Sequence, residues 1–148
     1  AALSANALYG APFTPPANMT ADRIALNIAS TGTATNMRLG IYTALANGQP
    51  DALLVDSGLL AVGTTGDKEA TISQALVAGV LYWLTFEADG TLTPLLNSAV
   101  TAPLGLTGPS STTMGGVFRA FTFAALPASW GTVTAWPGAP PHICLRAV

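Results

Sequence analysis

Histidine and cysteine are the residue types with the widest chemistry, and here each occurs once, as His142 and Cys144. Two positions apart on an extended strand, their side chains leave the same face. An imidazole beside a thiol is the beginning of a zinc site or of a nucleophile–base pair. Zinc takes about four ligands, and with no second histidine or cysteine the remainder would all be carboxylates, so no metal or other cofactor is expected. A Ser–His–Asp triad would have to use the same His142 as its base. The "VDSGL" around Ser57 lacks the first glycine of a nucleophile elbow. His142 follows Pro140-Pro141 and reads as a strand-entry residue with a surface or capping role, kept as a candidate ligand contact.

Carboxylate pairs are the next possibility, because two acids about 5–10 Å apart can hydrolyse a glycosidic bond. Asp51 with Asp56 and Asp67 with Glu69 qualify only by being acidic, and Asp67 sits in turn chemistry behind Gly66. Catalysis is therefore not expected, and a polysaccharide depolymerase is the least favoured reading. Trp130 and Trp136 lie in "PASWGTVTAWPGAPP" (127–141), among small and turn-forming residues. An exposed indole offers a flat apolar face and one N–H donor, which suits stacking on a sugar ring. The competing reading is that both indoles plug the end of the domain or pack on a neighbouring chain.

The elements that would carry these residues are strands. "RIALNIAS" puts Ile24, Leu26 and Ile28 on one face; "MRLGIYTA" puts Met37, Leu39 and Ile41 on one face with Arg38 and Tyr42 opposite. "KEATISQAL" sets Ala70 and Ile72 against Glu69, Thr71 and Ser73. "AGVLYWLTFEADG" is apolar on both sides, with Tyr82, Leu84 and Phe86 opposite Leu81 and Trp83. Such a strand is covered twice, once by an opposing sheet and once by a loop or a neighbouring subunit. "GGVFRAFTFAAL" places its phenylalanines on mixed faces, and "HICLRAV" closes the chain as a strand. About eight strands with regular turn signals predict an all-β fold, a jelly-roll-like antiparallel β-sandwich forming one domain over 1–148. Two long irregular stretches, 97–116 and 127–141, interrupt it; long loops are commonly functional.

Composition sets the remaining bounds. Of the 148 residues, half are hydrophobic and only 8% charged, against about a quarter in typical domains. Residues 1–89 carry a net charge of −4 and residues 90–148 a net of +2 from Arg119 and Arg146 alone. Part of the second region is therefore expected in a subunit interface. The uncharged stretches are broken by Pro, Gly, Ser and Thr and give no spanning helix. With no basic run, nucleic acid is not an expected partner.

"MRLGIYTALANGQPDALLVDSG" followed by "TTGDKEATISQALVAGVLYWLTFEADG" resembles a β-sandwich domain of tail fibres, spikes and other appendages of tailed bacteriophages and phage-like particles. The likeness rests on the "RLGIY" strand, the Gly48 to Pro50 turn, "LLVDSG", "TTG", and the run Leu76, Ala78, Gly79, Tyr82, Trp83 and Leu84. "LYGAPFTPPANMTADRIALNIAS" fits an opening strand pair of such domains. The resemblance covers about residues 8 to 90 and carries no catalytic residues. It implies a non-catalytic module of a virion surface appendage, self-associated as a homotrimer. Its partners would be host cell-surface polysaccharide, touched through Trp130, Trp136 and His142, or other virion proteins, as in a decoration, spike base or connector.

Overall fold

A computed structural model describes residues 2–96, 116–136 and 138–148. Alternation with period two builds the fold. The strands are β1 (Ala7–Phe13), β2 (Met19–Ser30), β3 (Asn36–Ala44), β4 (Pro50–Asp56), β5 (Leu60–Ala61), β6 (Gly66–Leu76), β7 (Tyr82–Ala88), β8 (Thr93–Pro94), β9 (Gly116–Ala120), β10 (Thr134–Trp136) and β11 (Ile143–Ala147). They form two packed antiparallel sheets, a β-sandwich. The larger has the order β10-β9-β1-β7-β3-β4, with β5 also on β3; the smaller has the order β11-β2-β6, with β8 also on β2. Among the described residues, five strands of five or more residues stand in the larger sheet and three in the smaller.

The core lies between the sheets. Ile24, Leu26 and Ile28 from β2 meet Met37, Leu39 and Ile41 from β3 and Tyr82, Leu84 and Phe86 from β7, all buried. These are the inward faces that alternation predicts. The hairpin of residues 39–58 forms with Ala44 opposite Pro50, and Gly48 takes a φ of 83° in its turn, where glycine alone avoids a steric cost. The opening strands form as well, but not as a pair: β1 lies in the larger sheet and β2 in the smaller. The loop between them, "TPPAN", crosses between the layers instead of making a hairpin.

The outer faces of the two sheets differ in kind. β2, β6 and β11 carry Asp22, Arg23, Asp67, Glu69 and Arg146 on the outer face of the smaller sheet, five of the chain's twelve charged side chains. Arg146 pairs with Asp22, and Arg23 reaches Glu69 at 3.6 Å. The smaller sheet therefore shows water a polar outer face. The larger sheet holds a second buried cluster on its outer face, made of Leu8, Tyr42, Trp83, Val117, Leu126 and Trp130. Residues 121–133, leaving β9, cross back over this face as a strap. The second apolar face of β7 is thus covered by its own chain, and that strand no longer argues for a neighbouring subunit.

Candidate functional site

Two strand glycines make room for the strap. A Cβ on Gly10 would lie 3.1 Å from the Trp130 ring and 3.3 Å from Trp83. A Cβ on Gly40 would collide with a Leu126 methyl and come within 2.9 Å of Thr85 Oγ1. Glycine inside a strand commonly marks such close approach. Hydrogen bonds then hold the strap along its length. The Tyr42 hydroxyl donates to Pro127 O at 2.8 Å, the Leu53 amide to Ala128 O at 3.0 Å, and the Trp130 amide to Asp51 O at 2.7 Å. Ala52 and Ser129 form an antiparallel bridge, so the strap also occupies part of the edge that β4 would leave open.

Under the strap lies a charged group of three. Arg38 on β3 stands opposite Glu87 on β7, and Gly40 stands opposite Asp56 on β4. Arg38 Nη1 donates to both Asp56 oxygens at 2.9 and 2.8 Å. Asp56 accepts two further backbone amides, Gly58 at 2.8 Å and Leu126 at 3.0 Å. It therefore fastens the strap to the sheet. Glu87 is wholly buried, and among the described residues no group completes a hydrogen bond to either of its oxygens; Arg38 Nε and Thr85 Oγ1 are likewise unpartnered. Burial pushes the Glu87 carboxyl up to about 7; Arg38 opposes the shift, Asp56 adds to it, and the Ala124 backbone amide opposes it. The Tyr42 phenol is pushed up by burial and by negative Glu87, with Arg119 opposing and Asp56 adding, so it stays a neutral donor to the strap.

The side chains singled out in the sequence lie elsewhere. Trp130 is fully buried, its ring edge-on to Tyr42 at 5.3 Å. Of the two readings, Trp130 takes the packed one, and stacking on a sugar is not open to it: Gly10, Trp83 and Tyr42 take the surfaces that a sugar would need. Trp136 on β10 is half-buried and packs edge-on against Tyr9 at 5.1 Å and Phe118 at 5.5 Å. It closes an end of the inter-sheet core, as the plugging alternative holds. His142 is exposed at the start of β11, with Nε2 3.5 Å from Cys144 Sγ. Both line a shallow groove of about 340 Å³ on the smaller sheet with Ala25, Asn27, Asp67 and Leu95. Asp67 there accepts a hydrogen bond from Asn27 Nδ2 at 2.6 Å. Among the described residues no three His, Cys, Asp or Glu side chains are grouped to hold a metal ion. Residues 97–115 of the first irregular stretch lie outside the described residues.

A second groove, of about 500 Å³, is lined by Arg119, Ala120, Gly131, Thr132 and Thr134. The Arg119 guanidinium lies over the Phe121 ring at 5.1 Å. Sequence reasoning missed Glu87 and the Arg38–Asp56 pair. A signal existed: Glu87 shares the Trp83 face of a strand expected to be covered on both sides, so its carboxyl had to be buried. Comparison with protein-family models, curated proteins and solved structures finds no match.

Proposed function

We propose that the chain is a structural, non-catalytic β-sandwich module of a bacteriophage-type appendage, and that it binds other proteins of the particle, sister copies included. The family part of this reading rests on the strand and turn motifs between residues 8 and 90. The choice of protein partners rests on one observation. Leu45, Leu54 and Leu59, in the segment around β4, are 45%, 38% and 59% exposed, while Trp130 is packed inside and Trp136 is half-buried. Apolar side chains left in water are better suited to a protein surface than to a hydroxyl-rich glycan. Sedimentation of the purified chain tests this, alone and with other appendage proteins. An associated species that Leu59→Asp dissolves supports the reading; a monomer at every concentration, with no protein partner bound, overturns it.

Recognition of a host polysaccharide is the second reading, favoured by the groove at Arg119. A guanidinium steadied by Phe121 beside two threonine hydroxyls suits an acidic sugar. Single glycan sites are weak, about −4 kcal/mol at a ~1 mM dissociation constant, and many copies on one particle would multiply their avidity. Binding on a glycan array that Arg119→Ala abolishes would favour this reading over the first.

A further inference from the structure

Glu87 is placed where an ionised carboxylate is poorly supported, by a shared Arg38 and the Ala124 amide against the loss of water. It is wholly inside, beneath the strap; among the described residues neither oxygen completes a hydrogen bond, although the Ala124 amide of the strap acts on the carboxyl. The covering segment, 121–133, contains no ionisable residue. Among the described residues, the charged and titratable groups that act on it come from the sheet: Arg38 on β3 and Asp56 on β4, with Tyr42 of β3 beside it and Arg119 of β9 acting on Tyr42. Arg38 is already committed, with Nη1 bonded to both oxygens of Asp56. One guanidinium between two carboxylates leaves a net negative charge when both are ionised, in a place closed to water. Burying such a charge is unfavourable unless it is paired and hydrogen-bonded.

We propose that Glu87 makes the strap a pH-responsive latch: closed over the larger sheet while the carboxyl is protonated, loosened when it ionises and draws water beneath Leu126. The movable part is defined by its fastenings, namely Leu126 to Asp56, Pro127 to Tyr42 and Ala128 to Leu53. Loosening them uncovers Leu8, Tyr42, Trp83 and Val117, an apolar face at present sealed by Leu126 and Trp130. The chain would thus expose new binding surface in response to rising pH without any change in its inter-sheet core. The direction follows from proton linkage. Burial raises the carboxyl to about 7, above the ~4.3 of a free glutamate. The closed form therefore binds the extra proton, and its advantage, complete below the free value, is lost as pH rises through the buried one.

Hydrogen exchange at the Leu126 and Trp130 amides, corrected for intrinsic base catalysis, reads the latch directly. In the unaltered chain, protection at these amides should fall ~10-fold or more between about pH 5.5 and 8.5, while amides of β2 and β3 keep theirs. Glu87→Gln should hold protection constant across that range. His142→Gln should leave the fall intact, which separates Glu87 from the one histidine of the chain. Equal protection at both pH values in the unaltered chain overturns the proposal, as does an undiminished fall in Glu87→Gln. If Glu87→Gln does not fold, the carboxyl carbon resonance of Glu87 in the unaltered chain decides. A midpoint near neutrality, moving with the strap amides, upholds the latch, and one in the ordinary glutamate range overturns it.

Discussion

A methyl of Leu126 fills the space that a Cβ on Gly40 would need, 86 residues earlier in the chain. Gly40 is the glycine of "RLGIY", and its neighbours Leu39 and Ile41 point into the inter-sheet core. Its bare α-carbon is what lets the strap lie flat on β3. Val55 O and Thr85 Oγ1, at 2.8 and 2.9 Å from the same position, leave no alternative space.

Gly40→Ala should destabilise the chain by about 1–3 kcal/mol, the usual cost of overpacking a filled site. Leu126→Ala should cost about 2–5 kcal/mol by leaving a cavity. The double variant should lose less than the sum, because the shortened side chain relieves the clash. Urea denaturation of the four proteins checks this; strict additivity would mean that the two residues do not meet.

Asp56→Asn should free the strap. It weakens acceptance from Arg38, Gly58 and Leu126 together. The expected loss is about 1–3 kcal/mol, because the group is partly buried and its bonds are charge-assisted. Proteolysis within 121–130 should quicken in the same variant, and an unchanged cleavage rate would count against Asp56 as the fastening.

Trp130→Ala should cost about 3–5 kcal/mol, as for other large aromatic side chains removed from a core. The supporting measurement is fluorescence quenching by acrylamide. Trp83 and Trp130 should be shielded in the folded chain and Trp136 only in part, in keeping with their burial. A Trp130→Ala variant that is as stable as the parent would show that the indole is not a core residue.

Acid should act at a different place. The Asp89 carboxylate accepts hydrogen bonds from the Thr35 amide and hydroxyl at 2.8 and 2.6 Å and from the Asn36 amide and side chain at about 3.0 Å. Burial works against its ionised form, yet the bonds from Thr35 and Asn36 outweigh burial and bring it down to about 2. The resulting stability is present above the free aspartate value of ~3.9 and lost as pH falls towards 2. Asp89→Asn should remove that part of the acid limb and lower stability at neutral pH by about 1–3 kcal/mol. Thermal melts from pH 2 to 7 on both proteins test it; an acid limb of unchanged shape would contradict the assignment.

Much of the architecture was legible in local pattern. Alternation at 24–28, 37–41 and 82–86 gave the inward faces correctly, because side chains on a strand must point to opposite sides in turn. The turn at Gly48 was legible for a similar reason, since few residues tolerate its backbone. The opening strands were read as a pair and are not one, because a polar, proline-containing connection of this length serves either a hairpin or a crossing between sheets. The tryptophans stay open between an exposed and a packed reading for a related reason. A tryptophan among Gly, Pro, Ser and Thr has the same neighbours in sequence whether its loop projects into water or folds down onto a sheet.

The amino-acid order by itself determined that β7 needs cover on both faces, since Trp83 and Phe86 are apolar wherever they point. Only the tertiary structure decided what supplies the outer cover: the chain's own residues 121–133, brought back so that Tyr42 holds Pro127 across 85 positions. Local pattern states which surfaces must leave water. It does not contain the long-range geometry that brings Leu126 over Gly40 and closes Glu87 beneath it.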